Sequence, residues 1–262
     1  MNILYDIAER TKKRIEERKR SLPLQRLMEL SCSCDITDGF PFELTLKSKD
    51  ISFICEIKRA SPSKGVIAKY FPYIDIARDY ESAAASAISV LTEPYYFKGD
   101  DHYLREIADT VSIPLLRKDF IVDSYMIYEA KMLGASAVLF ICAILDQNML
   151  AEYLNITHSL GLSALVEAHT EAEVDMALTA GARIVGVNNR NLKTFEVDIT
   201  LSERLRKMVP SDRIFVSESG IHTAEDVDKL RQNGVDAVLV GETLMRSSDK
   251  KAALAELRGE QP

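Results

Sequence analysis

Eight short apolar or β-branched runs recur along the chain, at residues 52–57, 86–92, 113–117, 136–141, 162–166, 183–188, 213–218 and 236–240. Runs of this length read as strands buried on both faces. Helical patterns alternate with them at 73–85, 123–133, 147–160, 170–180 and 223–232. Asp123 offers an N-cap to the second of these, and Thr223 with Asp226 three residues on resembles a capping box. Gly134, Gly161, Gly181 and Gly234 each fall just before the next strand, where helices end on a left-handed residue. Strands alternating with helices imply a parallel sheet, and eight such units imply a closed (β/α)8 TIM barrel. The competing architecture is an open doubly wound sheet. That fold favours a glycine-rich first turn, and no G-x-G-x-x-G is present.

The segment before the first run differs. Residues 2–20 form a helical pattern with a thin apolar stripe, Ile3, Leu4, Ile7 and Ile15. Its basic clusters, Lys12-Lys13-Arg14 and Arg18-Lys19-Arg20, are expected on a solvated helix face. Pro23 separates it from a second helix at 24–31, and residues 32–50 are polar and irregular. The expected organisation is a helical extension over 1–48, packed on a catalytic barrel over 49–262.

Composition narrows the function classes. The formal net charge of −7 disfavours nucleic acid as a partner. No run approaches the ~18 apolar residues of a membrane span. The N-terminal residues lack an apolar signal core and carry Asp6, Glu9, Glu16 and Glu17, unlike a transit peptide. A cytoplasmic monomer, without membrane or nucleic-acid partners, is the expectation. Cys55 and Cys142 sit in apolar runs, Cys32 and Cys34 have no second pair, and the four histidines are scattered, so neither metal nor cofactor is expected.

Barrel chemistry gathers at the C-terminal ends of the strands. The first run ends in Glu56-Ile57-Lys58 and opens into Ser61-Pro62-Ser63. Alternation points Glu56 and Lys58 the same way and Cys55 the other. Buried charges need a partner or a ligand; on this stretch alone, an edge-strand salt bridge remains the competing reading. Lys118 follows the third run, Glu167 the fifth, Asn188 and Arg190 the sixth, and Glu218 the seventh. Ser219-Gly220-Ile221 and Gly241-Glu242-Thr243 follow the last two, where barrels of this kind grip phosphate through backbone N–H groups. Three cations at the strand ends of an acidic protein suit an anionic substrate.

At these residues the chain resembles the indole-3-glycerol-phosphate synthases. EIKRASPSKG, LLRKDF, ALVEAH, VGVNNRNLKTFEVD, VSESGI and VGETLMR carry the resemblance, which extends to the N-terminal ILYDIAERTKKRIEERKRSLPL. It implies ring closure on 1-(2-carboxyphenylamino)-1-deoxyribulose 5-phosphate with loss of CO2 and water, in tryptophan biosynthesis and without a cofactor. It implies that Lys118 is the general acid at the ketone oxygen, and that Lys58 holds the substrate carboxylate and assists loss of hydroxyl. Glu167 becomes an acid/base carboxylate, and Glu56 the carboxylate that orients the lysines. Asn188 and Ser219 join the catalytic set. Arg190 holds the carboxylate end with Asn188. Ser61, Gly220 and Gly241 match phosphate and substrate positions together with Glu218, Leu239 and Glu242. Phe97 and Phe120 match an apolar wall around the anthranilate ring.

The chemistry fits. Ring closure puts negative charge on the attacked oxygen, which calls for a placed proton donor, and two neighbouring cations are expected to bring a lysine's pKa towards working pH. Carboxylates then accept the proton released on rearomatisation. One departure touches no chemistry: Ser82-Ala83-Ala84-Ala85 stands where the family often has glycines. Three rival functions suit a phosphosugar barrel. A phosphoribosylanthranilate isomerase would need a Cys/Asp pair, against which Cys55 points the wrong way. A Schiff-base aldolase would use Lys118 or Lys58 as its nucleophile. A phosphosugar binder that no longer reacts would not need the lysine–carboxylate set, which is intact here.

Overall fold

The computed structural model describes residues 3–34 and 39–260. Eight parallel strands close into a barrel: β1 (Ser52–Ile57), β2 (Ala87–Leu91), β3 (Leu115–Lys118), β4 (Ala137–Ile141), β5 (Ser163–Ala168), β6 (Ile184–Asn188), β7 (Ile214–Glu218) and β8 (Ala237–Val240). Each strand pairs with its sequence neighbours, and β1 pairs with β8 to complete the ring. An open sheet is excluded by that last pairing. Among the described residues, no helix is long and apolar enough to cross a membrane.

Strand alternation divides the apolar residues into two cores. Phe53, Cys55 and Ile57 of β1 pack outward, in the layer between barrel and helices. Ile54, Leu116, Leu165, Ile184, Val216 and Leu239 pack inward, into the barrel axis. The inward register continues upward from these residues, two at a time, to Glu56, Lys118, Glu167, Asn188, Glu218 and Gly241. One alternation therefore fills the lower barrel with hydrocarbon and its upper end with charge.

The expected helix ends hold. Gly134, Gly161, Gly181 and Gly234 all have positive φ, and Thr223 and Asp226 form a reciprocal capping box. The expected N-cap shifts by one residue: the helix Tyr125–Met132 has Ser124 at that position, while Asp123 accepts from the Tyr125 N–H at 2.9 Å. Ala84 takes φ +57°, the left-handed conformation that a glycine adopts at little cost. Arg258 covers the same helix end by donating to the Ala83 and Ala84 carbonyls. The helices Asp101–Ala108, Thr200–Arg206, Glu242–Arg246 and Lys250–Arg258 go beyond the expected set. All four are short, at most nine residues long.

Three helices precede the barrel: α1 (Ile3–Ser21), α2 (Leu24–Cys32) and α3 (Pro41–Leu46). Lys12, Lys13 and Arg20 of α1 are exposed as expected, but the other basic residues of its two clusters do not lie on a solvated face. Arg14 pairs with buried Asp119 at 2.8 Å, Arg18 with Asp101 and Glu129 at 2.5 Å each, and Lys19 with Asp123 at 2.6 Å. The charge pattern alone is that of an exposed helix, and only the carboxylates just after β3 and on the helices beside it give these cations partners. The irregular reading of 32–50 also needs correction, since α3 lies within it; residues 35–38 fall outside the described residues. Phe42 and Leu46 of α3 are fully buried among the lowest inward residues and close the barrel floor.

The floor lies at the opposite end from the strand termini that carry charge. Phe42→Ala is expected to cost about 3–5 kcal/mol of stability, read by urea unfolding, with kcat of the folded variant within twofold of wild type.

Candidate active site

The inward side chains at the strand ends converge. Lys118 Nζ on β3 lies 2.9 Å from Glu218 Oε2 on β7 and 3.4 Å from Glu56 Oε2 on β1. Lys58, just beyond β1, donates to the other oxygen of Glu56. Glu56, Glu167 and Glu218 are all buried. Two ammonium groups thus stand among three buried carboxylates at the mouth of the barrel.

These neighbours set the protonation states. Burial would raise Glu56, but Lys58 and Lys118 outweigh it and hold the group at about 2. Lys118 moves the opposite way to expectation. Burial would lower it, but Glu218, Glu56 and Glu167 together push it well above the ordinary lysine value. The expectation counted nearby cations; the geometry puts carboxylates closer. Glu218 is raised, by burial first and then by Glu167 and Glu56, with Lys118 opposing. The cluster therefore contains a firmly charged lysine, a firmly charged Glu56, and in Glu218 a carboxylate more easily protonated than usual.

Two glycines make room for this packing. A Cβ on Gly186 would sit 2.6 Å from Glu218 Oε1. A Cβ on Gly241 would overlap Glu56 Oε1 and lie 3.0 Å from Lys58 Nζ. Gly241 is thus needed for the charge pair as well as for the turn in which the sequence placed it.

Around the cluster runs one cleft. It is lined by Glu56, Lys58, Ser61, Phe97, Lys118, Phe120, Glu167, Asn188, Arg190, Ser219, Gly220, Leu239, Gly241 and Glu242, so these expected site residues all meet there. Glu218 is not on its wall; it lies behind Lys118 and acts on the cleft through that lysine. Phe97 and Phe120 face each other at 5.9 Å between ring centroids and form an apolar side. Buried Glu93 fixes the first of them by accepting from the N–H groups of Tyr95, Tyr96 and Phe97. On the far side Ser219 and Gly220 take consecutive left-handed conformations, φ +68° and +82°. Asn189 holds that turn by donating to the Ser219 carbonyl at 3.0 Å. Glu242 is paired with Arg246 at 3.0 Å and Lys64 at 3.5 Å.

Sequence reasoning missed part of the wall. Ile3, Leu4 and Ile7 of α1 line the cleft, as do Leu139 and Ile141 of β4. The β4 residues were available from strand alternation, but nothing in α1 says which strand ends its apolar stripe covers. Among the described residues, no group of three or more His, Cys, Asp or Glu side chains is arranged to hold a metal ion.

Fold and site together define a (β/α)8-barrel enzyme with lysines and carboxylates gathered at its mouth, beside an apolar wall. A family model described as indole-3-glycerol phosphate synthase matches residues 4–257, and the chain belongs to the indole-3-glycerol phosphate synthase family. The chain is 59% identical over 257 residues to the indole-3-glycerol phosphate synthase of Ruminiclostridium cellulolyticum, covering 98% of this chain and 99% of that one. It is 50% identical to the synthase of Lachnoclostridium phytofermentans, with 98% of each covered. Among solved structures, the 3-hexulose-6-phosphate synthase of Salmonella typhimurium aligns with a TM-score of 0.66 over 80% of this chain and 97% of that one; at 14% identity the likeness is one of fold. Family membership makes the chain a lyase of tryptophan biosynthesis that closes an indole ring with decarboxylation.

Two outcomes follow from the geometry. Gly241→Ala forces Glu56 and Lys58 apart and is expected to lower kcat about 10²-fold, with the far-UV spectrum unchanged. The second concerns acid. Glu56 is depressed from 4.5 to about 2, so its contribution to stability is complete above the unfolded value and is lost as pH falls through the folded one. Urea midpoints are expected to drop between about pH 4.5 and 2, and Glu56→Gln to lack that part of the drop.

Proposed function

We propose that Lys118 is the general acid of the ring closure and that Glu56, Lys58 and Glu167 share the remaining proton transfers. The reaction converts 1-(2-carboxyphenylamino)-1-deoxyribulose 5-phosphate to indole 3-glycerol phosphate, CO2 and water. The ring carbon bearing the carboxylate attacks the ketone, whose oxygen takes a proton as its charge develops. Loss of CO2 returns an electron pair to the ring. Removal of a proton and departure of the new hydroxyl as water then complete the indole.

The observation that carries this reading is the position of Lys118, at the mouth and between two buried carboxylates. Those carboxylates keep it protonated, and a donor that stays protonated suits an oxygen that becomes a strongly basic alkoxide. Glu56 bridges both lysines, so it can orient Lys118 and Lys58 at once. Lys58 and Arg190 supply positive charge for the substrate carboxylate; Asn188 accepts from the Arg190 backbone N–H at 3.1 Å, and the Arg190 guanidinium donates to the Phe195 carbonyl at 3.2 Å. Loss of CO2 is aided by the apolar side formed by Phe97 and Phe120, with Leu239 beneath, because a carboxylate stripped of water is less stable. Ser61, Ser219, Gly220 and Gly241 are assigned to the phosphate end, with Glu242 at its rim. In this reading residues 1–48 are an extension and 49–262 the barrel domain. The enzyme acts as a cytoplasmic monomer on a phosphorylated small molecule, without a nucleic-acid partner.

Lys118→Ala is expected to reduce kcat by roughly 10²–10⁴-fold while inorganic phosphate still competes for the site with unchanged affinity. Wild-type turnover in that variant would remove Lys118 from the role.

A further inference from the structure

Glu56 and Glu218 each have a lysine within 3.4 Å. The basic group beside Glu167 is different: it is the imidazole of His169. Nε2 of His169 stands 3.5 Å from Glu167 Oε1, and Nδ1 stands 3.4 Å from Glu173 Oε2. A carboxylate, an imidazole and a second carboxylate thus run in line from the cleft outward. Side-chain exposure rises along it, from 4% at Glu167 to 14% at His169 and 21% at Glu173.

The line is held in place locally. Glu167 and His169 are two residues apart at the end of β5, so both side chains leave the backbone on one side. The His169 N–H donates to Glu173 Oε2 at 2.6 Å. Glu173 in turn sits in the first turn of the helix Glu171–Thr179, where its own N–H donates to the Thr170 cap. His169 Nε2 is buried, stands 3.5 Å from Glu167 at the outer edge of hydrogen-bond reach, and has no other hydrogen-bond partner. An imidazole nitrogen in that state, facing a carboxylate assigned to proton transfer, is hard to explain as packing alone.

We propose that His169 is a positioning residue that orients Glu167 and carries its proton out to Glu173. This rests on the acid/base reading of Glu167. When Glu167 has taken a proton from substrate, its carboxyl hydrogen passes to Nε2 while the hydrogen on Nδ1 passes to Glu173. Glu167 returns to carboxylate, Glu173 becomes the neutral acid, and the imidazole changes tautomer without net change. Glu173 then releases the proton to water.

The charges around the ring are consistent with this. Burial lowers the His169 pKa, but the Glu173 hydrogen bond and the charges of Glu167, Glu173 and Glu218 raise it overall. The nearby Cys142 thiol adds no charge, since burial pushes it up to about 12.

The chain has four histidines, so the His169 ring can be followed through a pH titration by NMR. Glu167→Gln and Glu173→Gln are each expected to lower its titration midpoint, because each removes a carboxylate that favours the imidazolium. His169→Gln keeps a hydrogen-bonding side chain but passes no proton. It is expected to lower kcat about 10-fold, with KM within twofold and an altered pH–rate profile. If the His169 midpoint ignores Glu167→Gln, or if His169→Gln has wild-type kcat and pH profile, the relay is wrong. If His169→Gln does not fold, Glu173→Gln supplies the kinetic arm, and a wild-type pH–rate profile there overturns the proposal equally. Retained turnover in Glu167→Gln is a separate outcome: it refutes the role of Glu167, whatever the titration shows.

Discussion

The structure depends on charge buried without being left alone. A single ammonium or carboxylate removed from water costs several kcal/mol unless a partner is fixed beside it. Lys118 meets that condition only because the sheet closes: Glu56 comes from β1 and Glu218 from β7, 100 residues along the chain from Lys118. An open sheet would put those strands far apart. The hydrocarbon below, Leu116, Leu165, Val216 and Leu239, completes the ring and keeps water from entering beneath the charges. Gly186 and Gly241 give up side chains where the charges need the volume.

A second layer of ion pairs stands behind the first. Arg117 and Asp119 flank Lys118 and point outward. Arg117 donates to Asp101 and Glu129 at 2.7 Å each, and Asp119 receives Arg14 and the Thr92 hydroxyl. The backbone of β3 is thereby tied on both sides of the lysine. Buried ion pairs are poor sources of net stability, since apolar replacements often do as well. They are directional, however, and a proton donor must be held within a fraction of an ångström. This gives the paired basic residues of α1 a purpose: Arg14 reaches Asp119 beside Lys118, and Arg18 reaches the Asp101 and Glu129 carboxylates that also hold Arg117, while Leu4 and Ile7 of the same helix line the cleft.

How much of this the sequence discloses depends on how local the cause is. The barrel was legible because each strand carries its own signal in an apolar run, and several of the helices between them end in a glycine or start on a cap. The site was legible because alternation points Glu56, Lys118, Glu167 and Glu218 inward from their strand ends. What was not legible depends on distant neighbours. Arg14 and Arg18 look solvated until Asp119, Asp101 and Glu129 stand opposite them. The direction of the Lys118 shift depends on three carboxylates from three other strands. Phe42 and Leu46 look like part of an irregular stretch, because a helix of six residues has no period to read. His169 was visible as a residue but not as a neighbour of Glu173, whose position follows from the helix that Thr170 caps.

The site has to admit an anion although carboxylates outnumber lysines in the cluster. Three features ease this. Arg190 adds a cation on the cleft wall. Glu242, the carboxylate nearest the phosphate turns, is held by Arg246 and Lys64, so its charge is largely neutralised. Glu218 is raised, so the charge most easily given up lies behind Lys118. A substrate carboxylate arriving near Lys118 raises the electrostatic cost of keeping Glu218 ionised, and a proton on Glu218 relieves it. Glu56, held low by two lysines, stays charged through the same change. On the proposed reading the two carboxylates that share Lys118 are set for different work, since Glu56 is held low by two lysines and Glu218 is raised.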